Sequence, residues 1–595
     1  MNSHYPIGIQ NSAYRSTPKF YMMNYNWELK HTSEDHLQYI MDEFNLPKSI
    51  AIIMAQRGIT DRTISHHFFY PELDKLHDPF LMLGMEKSVQ YIQKLIEEKK
   101  TILLFGDYDV DGTTGTATMY LFFKSIGVDV HYYIPNRMNE GYGLSVLGID
   151  FAVKIGAELL ITCDCGITAV DKVKYANSKG LNIIITDHHK QSDVLPDAFS
   201  ILNPNQNKCD YPFKGLCGAG VALKLILAIC RKLGMSDEKA LFYTDLVTLG
   251  IAADIVPMVD ENRIIAADGL KKIESGSNSG LSALLNSGGL NGKEVTIGRL
   301  VFWVAPKINA AGRLGDAGRA VKLMTTSNPI LARRIADDLE KENKRRQEIT
   351  INTVEDCFFQ VQSNPSQENE KAVILFKEGW HHGVVGIVAS KIKENYNKPT
   401  IVISIDENGI GRASCRSIPG FDIHKALEKC SDNLIGFGGH PMAAGFSIEK
   451  KNIKDFYQAF QKVAEDTIKP EQLVPRIKVD SILSVGDINS RFLRFLKSMS
   501  PYGPGNMRPK FLSKAVNLKG MPRLIGKKSD TLKFAVQDNR SVYDAIGFNM
   551  VEKYEYLLSG EPVDLVFEIG ENEWNGKKSI QLEIKDLKPG NQSYA

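Results

Sequence analysis

The chain has 595 residues, 43% of them hydrophobic and 24% charged, with a formal net charge of +2. That length calls for roughly three to five domains, with cores large enough to need no disulfide staple. So small a net charge excludes polyanion recognition by bulk charge, so any such site must come from local patches. The eight cysteines, Cys163, Cys165, Cys209, Cys217, Cys230, Cys357, Cys415 and Cys430, form no C-x-x-C pair. Their spacing favours reduced thiols in a cytoplasmic compartment.

Residues 1–25 are polar and aperiodic, carry no apolar signal-peptide run, and read as a disordered extension. The best membrane candidate, Val221 to Cys230, is interrupted by Lys224 and falls short of the ~18 apolar residues of a bilayer span. Residues 26–80 read as an N-terminal helical region, in which the pair His66-His67 has no nearby carboxylates and is expected to be packed.

From Thr101 to about Pro204 the pattern is strand, loop, helix, repeated. Thr101–Phe105, Val128–Ile134, Leu159–Thr162 and Asn182–Thr186 are continuous apolar runs, and Thr114–Ile126 has helical composition. Such runs between helices predict a parallel sheet covered on both faces, a doubly wound α/β domain over residues 81–280. Residues 281–362 form a linker region whose charge-laced stretch Ile330–Gln360 predicts one long connecting helix. A smaller α/β domain is expected over 363–467, and short strands separated by Gly, Pro and Lys turns predict a β-barrel over 468–595.

The sharpest motif is Phe105-Gly-Asp107-Tyr-Asp109-Val-Asp111-Gly112, three carboxylates at alternate positions directly after an apolar strand. In parallel sheets ligands collect beyond the carboxyl ends of strands, and carboxylates crowded there repel one another unless a cation neutralises them. A calcium loop of the EF-hand type is excluded, because its twelfth position is Thr118 rather than Glu and the preceding segment reads as strand. Asp164 follows a second apolar run, Asp187-His188-His189 a third, and Asp254 lies in the apolar setting Gly250–Pro257. A lone aspartate is usually a cap or turn residue. Four such elements in one domain point instead to a divalent-metal site, with mixed carboxylate and imidazole ligands suited to manganese, magnesium or zinc. Alternation along a strand points Cys163 and Cys165 away from Asp164, which leaves them as core packing.

Asp107-Tyr-Asp109, Asp164, Asp187-His188-His189 and Asp254 together resemble the motifs of the DHH phosphoesterase superfamily. Asn309-Ala-Ala-Gly-Arg313-Leu-Gly315 resembles a further motif of its RecJ branch. So do Trp380-His381-His382-Gly383, Ser414-Cys-Arg416-Ser417, Gly438-Gly439-His440 and Pro501-Tyr-Gly503-Pro-Gly505-Asn506, over roughly residues 26–590 in all. The resemblance implies a catalytic DHH domain, a substrate-binding DHHA1 domain and a C-terminal OB domain. It also implies a 5′→3′ exonuclease that degrades single-stranded DNA to mononucleotides in recombination and repair, using two Mn²⁺ or Mg²⁺ ions. By the same resemblance Asp107, Asp109, Asp164, His188 and Asp254 are metal ligands, Asp187 orients its neighbouring histidine, and His189 contacts the scissile phosphate. Asn309, Arg313, His381, Ser414, Arg416, Gly438, Gly439 and His440 would contact substrate, facing the metals across an interdomain cleft, and Arg137, which follows the strand beside the metal loop, is expected to read a 5′-phosphate, the alternative being a surface pair with Glu140. Many relatives carry histidine where this chain has Phe105, which removes one ligand from the first metal site. A helicase and a single-strand binding protein are the candidate protein partners, and no membrane is expected.

Residues 469–530 carry the local positive charge, with 13 Lys and Arg against 4 Asp and Glu. Charge runs are usually solvated faces. A small barrel with cations and the nearby aromatics Phe492, Phe495, Tyr502 and Phe511 is also what single-strand binding uses. The alternative is a DHH phosphodiesterase of cyclic dinucleotides or short RNA, against which the long chain and basic third domain argue. A catalytically dead replication scaffold would lack the acidic residues that are present here.

Overall fold

The computed structural model describes residues 24–590 apart from 138, 291, 365–368, 527–528, 539–540 and 575–576. The expected N-terminal extension lies mostly outside the described residues, as do Lys527 and Lys528 of the basic stretch. The chain forms two compact units. Of the described residues, one unit comprises 347–477 with 24–26, and the other 27–346 with 478–590.

The strands in chain order are β1 (Asn26–Leu29), then β2 (Ile102–Gly106), β3 (Val130–Tyr133), β4 (Leu159–Cys163), β5 (Asn182–Thr186) and β6 (Ser200–Leu202). They are followed by β7 (Val373–Glu378), β8 (Thr400–Ile405), β9 (Ile410–Arg416), β10 (Gly436–His440) and β11 (Ala443–Glu449). Last come β12 (Arg476–Val479), β13 (Ser481–Ile482), β14 (Phe511–Leu518), β15 (Arg523–Ile525), β16 (Thr531–Asp538), β17 (Ser541–Phe548), β18 (Val563–Trp574) and β19 (Lys577–Pro589).

In the larger unit, β2 to β6 form an all-parallel sheet in the order β3-β2-β4-β5-β6. Their alternate side chains feed two cores. Ile102, Leu104, Leu159, Ile161 and Ile184 pack under the helices Met85–Glu97, Val110–Ser125 and Gly218–Lys232. Leu103, Phe105, Leu160, Ile183 and Ile185 pack on the other face under Val146–Lys154 and Val170–Ser178. This is the doubly wound arrangement expected of continuous apolar strands. The helix expected from Thr114 starts earlier, at Val110, because the Asp109 side chain caps it by accepting from Gly112 N at 3.0 Å.

The C-terminal strands close a barrel. β14, β18, β19, β17 and β16 pair in turn, and β16 returns to β14 through Asn517↔Gln537 and Leu518↔Val536. Residues 26–80 carry the helices Glu34–Phe44, Lys48–Gln56 and Arg62–Phe69 and open with the short strand β1, which pairs with β12. The helices Glu34–Phe44 and Lys48–Gln56 place Leu37, Ile40, Ile50, Ile53 and Met54 in the same core as Phe492, Phe511, Leu532, Phe567 and Leu582 of the barrel region. Trp27 Nε1 donates to Asp586 of β19 at 2.8 Å. His66 and His67 are exposed rather than packed; the inward residues of that helix are Phe68 and Phe69.

In the smaller unit, β7 to β11 form a mixed sheet, order β10-β11-β9-β8-β7, parallel only between β7 and β8. The long connecting helix runs from Pro329 to Ser363, and the two units part within it. No helix among the described residues is long and apolar enough to cross a membrane.

Lys224, the residue that interrupts the apolar run Val221–Cys230, is fully buried. Its ammonium donates to Glu261 Oε1 at 2.8 Å and to the His77 carbonyl at 2.5 Å, and Tyr211 donates to Glu261 Oε2 at 2.6 Å. Breaking a buried pair strands its partner's charge, at about 3–5 kcal/mol. Lys224→Met is therefore expected to lower the first thermal unfolding transition sharply in calorimetry, and adding Glu261→Leu to restore most of the loss.

Candidate metal centre

β2, β4 and β5 are neighbours in the sheet, so the residues that follow them meet at one edge. β2 delivers Asp107 and Asp109, β4 delivers Asp164, and β5 delivers Asp187, His188 and His189. Asp254 arrives from the end of the helix Thr244–Ala253. Ligand atoms of Asp107, Asp109 and Asp164 lie within 4.8 Å of one another, and so do those of Asp111, His188 and Asp254 and those of Asp164, His188 and His189. Asp164 and His188 thus each belong to two of the groups.

His188 Nε2 sits 3.1 Å from Asp164 Oδ1, 3.5 Å from Asp254 Oδ2 and 3.9 Å from Asp111 Oδ2. Its ring also bonds to the backbone of Leu216, and burial holds it below the usual histidine range, so the neutral imidazole is favoured. Asp107 Oδ1, Asp164 Oδ1 and His188 Nε2 are buried and have no hydrogen-bond partner. Orphaned acceptors in two ligand groups that share Asp164 are what divalent cations satisfy, and the donor set of carboxylates and imidazole suits manganese or magnesium.

Local backbone chemistry builds this convergence. Asp164 is held at φ +63°, a left-handed conformation that non-glycine residues rarely adopt. That twist ends the strand's alternation, so Cys163 enters one core and Cys165 the other. Both thiols are core packing, as expected, for this different reason. A Cβ on Gly218 would lie 2.5 Å from Asp164 Cβ, so only glycine lets the helix Gly218–Lys232 approach. The N-terminus of that helix meets Asp111, whose oxygens accept from Gly218 N at 2.6 Å and Ala219 N at 2.9 Å. Asp111 is absent from the ligand set implied by the resemblance, yet it stands in the cluster. Its signal in the sequence is the third position of the same alternation.

Asp187 Oδ1 accepts from the His189 ring at 2.7 Å and from the backbone N–H of His188 at 2.7 Å, and Oδ2 accepts from Ile167 N at 2.9 Å. It therefore orients the ring of His189, and only the backbone of the adjacent His188. Burial opposes a charge on His189, but Asp187 outweighs it and pushes the imidazole up to about 9. Phe105 is buried in the core, stacked on Tyr133 at 5.7 Å, and supplies nothing to the cluster.

Tyr108, between Asp107 and Asp109, is flanked by two of the expected substrate contacts. The Arg137 guanidinium lies 5.2 Å from its ring centroid, and Arg313 lies near enough to act on its hydroxyl. Glu140 accepts from Tyr133, Ser145 and Asn136 N, while Arg137 turns to Tyr108. Asn309 and Arg313 share the helix Ala305–Leu314, whose Gly312 packs against the Tyr108 carbonyl.

In the smaller unit, the Arg416 guanidinium donates to Ser414 Oγ at 3.0 Å and Ser390 Oγ at 3.1 Å, and Gly386 leaves room for it. Gly438, Gly439 and His440 form the edge strand β10. Cross-strand register aligns His440 with Ala443 and Arg416, and Gly438 with Gly445 and Ser414. His381 caps the turn His382–Val384 by accepting from Gly383 N. In the barrel region Phe492 and Phe511 are buried, and Phe495 and Tyr502 pack against the same core, so all four aromatics serve packing. Arg491, Arg494, Lys497, Arg508, Lys514, Lys519 and Arg523 are exposed.

Burial, then neighbouring carboxylates, raises Asp107 and Asp164 well above the usual carboxylate range and Asp254 to about 8. An acid raised to about 8, as Asp254 is, holds a proton at neutral pH and must release it to a cation. Mn²⁺ binding is therefore expected to release protons at pH 7 and to tighten as pH rises towards 8. Calorimetry in buffers of different ionisation enthalpy measures this, and proton-neutral binding at pH 7 is the contrary result.

Three family models match the chain: the DHH family N-terminal domain over residues 101–251, the DHHA1 domain over 369–466 and the RecJ OB domain over 479–586. The chain is 35% identical to the single-stranded-DNA-specific exonuclease RecJ of Bacillus subtilis, over 94% of this chain and 70% of that protein. It is 34% identical to RecJ of Haemophilus influenzae, over 87% of this chain and 92% of that protein. Among solved structures, RecJ of Thermus thermophilus in complex with Mn²⁺ superposes with a TM-score of 0.80 at 26% identity, covering 95% of this chain and 80% of that one. These matches run through all three regions, and the chain belongs to the RecJ family of single-stranded-DNA-specific exonucleases.

Proposed function

We propose that this protein is a metal-dependent exonuclease that degrades single-stranded DNA from the 5′ end to mononucleotides, in recombination and repair. The observation that carries the reading is the cluster of Asp107, Asp109, Asp111, Asp164, His188 and Asp254, with its orphaned buried acceptors. The RecJ structures from Thermus thermophilus were obtained with Mn²⁺ and with Mg²⁺, which supports the same ions here. Two divalent ions bound in such a cluster supply an activated water and neutralise charge on the phosphoryl oxygens during in-line attack.

The chain's own residues do the rest. Asp107, Asp109, Asp164, His188 and Asp254, joined by Asp111, would hold the ions. His189, its ring oriented by Asp187, contacts the scissile phosphate and in its protonated form donates to a non-bridging oxygen there. Arg137 and Arg313 beside Tyr108, with Asn309, position the strand end on this side. Arg416, Ser414, His381, Gly438, Gly439 and His440 form the phosphate-binding face of residues 363–467, and exposed cations of the barrel track the backbone. The division of labour proposed is catalysis by 81–280, linkage by 281–362, substrate clamping by 363–467 and strand binding by 468–595. A DNA-processing role and eight free, buried cysteines support a cytoplasmic location, with a helicase and a single-strand binding protein as partners.

Asp109→Ala and Asp164→Ala are expected to abolish hydrolysis while leaving most single-strand affinity, since binding is spread over other regions. Labelled single-stranded DNA, cyclic dinucleotide and polyphosphate assayed in parallel with Mn²⁺ test the substrate class, and turnover of the latter two alone would refute it.

A 5′-phosphate offers extra acceptor oxygens that an arginine reads bidentately. The enzyme is expected to prefer 5′-phosphorylated oligonucleotides over 5′-hydroxyl ones, and Arg137→Ala to lose that preference. Matched oligonucleotides with phosphorylated, hydroxyl or blocked 5′ ends measure both. Release of 3′ nucleotides first would overturn the polarity, whereas an unchanged preference in Arg137→Ala would remove only that residue.

A further inference from the structure

The loop Pro501–Asn506 opens the barrel, far in sequence from any residue of the metal cluster. Its contacts lie on the segment that carries Asp254. Pro504 O accepts from Met258 N at 2.6 Å. A Cβ on Gly503 would stand 2.9 Å from Met258 Cβ, and one on Gly505, at φ +76°, 3.1 Å from Val259 Cγ1. Met258 is fully buried there.

Arg263, one turn into the next helix, is 3% exposed and reaches back to the same loop. Its Nη1 donates to the carbonyls of Met499 (3.0 Å) and Pro501 (3.1 Å), its Nη2 to Ser500 (3.0 Å) and its Nε to Phe68 (3.0 Å). The guanidinium plane covers the Phe68 ring at 3.9 Å. Asn506, itself fully buried, donates to the Met499 and Pro501 carbonyls and accepts from Arg57 Nε at 2.9 Å, so the loop is braced from behind.

The gripped segment is short. Four peptide units separate Met258 from Asp254, at most about 14 Å of chain. Between them Ile255 is held at φ +57°, a conformation that a β-branched residue adopts only under constraint. Asn262 extends the grip to a second ligand. Its Nδ2 donates to Pro257 O at 2.9 Å and to Gly215 O at 2.6 Å, and the helix starting just after Gly215 supplies the Gly218 and Ala219 N–H groups that hold Asp111.

We propose that the Pro501–Asn506 loop of the C-terminal barrel is a positioning element of the metal centre, holding Asp254 and, through Asn262, Asp111 at their places beside His188. The barrel then does more than bind the strand; it completes the geometry of the cation site. The inference rests on the reading that the cluster holds divalent cations. Freed from the loop, Ile255 relaxes towards an ordinary conformation and Asp254 moves off the cluster.

Gly503→Ala in the full-length protein tests this, because the added methyl pushes directly on Met258. Mn²⁺ binding is measured by calorimetry and by electron paramagnetic resonance, alongside kcat and KM on single-stranded DNA and affinity for that DNA without metal. Phe567→Leu, a cavity in the barrel core on β18 rather than in the loop, controls for lost stability. The expected result is a roughly tenfold or larger loss of Mn²⁺ affinity, a fall in kcat with little change in KM, partial rescue at high Mn²⁺ and unchanged metal-free DNA affinity. Phe567→Leu should keep wild-type Mn²⁺ affinity. If Gly503→Ala fails to fold, Arg263→Lys, which keeps the charge and loses the forked donation, is expected to show the same metal defect. Wild-type Mn²⁺ affinity in the folded variant, or an equal loss in Phe567→Leu, would overturn the proposal. A wild-type protein that took up no Mn²⁺ would instead overturn the metal reading on which it rests.

Discussion

Carboxylates gathered beyond the ends of β2 and β4 repel one another in a buried setting, and much of the architecture around them resolves that conflict. Asp107 and Asp164 are nearly inaccessible to water, and each is raised by burial first and by neighbouring aspartates second. Two charges at such separations interact far more strongly in a protein interior than in water. The chain offers partial answers. Asp111 is met by two N–H groups at a helix start, Asp109 caps its own helix, and Asp187 is met by backbone amides and His189. What these leave unmet are Asp107 Oδ1, Asp164 Oδ1 and His188 Nε2, acceptors that divalent cations answer.

Holding that set requires backbone that ordinary residues resist. Asp164 and Ile255 both stand at positive φ, one within the cluster and one beside Asp254. Close approach does the rest. Gly112 packs against the Asp107 backbone, Gly218 against Asp164 and Gly250 against Asp111, each where a Cβ would collide. Conformations of this kind persist only when the surroundings over-determine them, and buried cores on both faces of the sheet provide that rigidity.

The larger unit is also assembled against the order of the chain. Its first helices complete the core of its last domain, and Trp27 is tied to β19 across 559 residues. Arg263 gathers carbonyls from the Phe68 end of the N-terminal region and from the barrel's opening loop around one desolvated guanidinium. That guanidinium is 3% exposed, and burial lowers it to about 10.

Residue pattern alone was enough for the parallel sheet, the long helix, the barrel and most of the metal cluster. Continuous apolar runs mark buried strands whatever surrounds them, and charged residues that follow such runs must emerge at the sheet's edge. Local chemistry of this kind is written in adjacent residues. The exceptions depend on distant partners. Asp111 joins the cluster because a helix start more than 100 residues away turns its N–H groups on it. Asp187 serves His189 because its oxygens are already fixed by Ile167 and the local backbone. Phe492 and Phe511, which look like stacking platforms in a basic stretch, are consumed by a core shared with the first helices. Gly438–His440 reads as a glycine turn until its pairing with β11 makes it a strand. Hydrophobic periodicity and charge spacing reach a few residues along the chain, so they determined which elements form and which carry chemistry. Which face each side chain meets, and what braces Asp254, depended on contacts between segments hundreds of residues apart, and only the tertiary structure decided them.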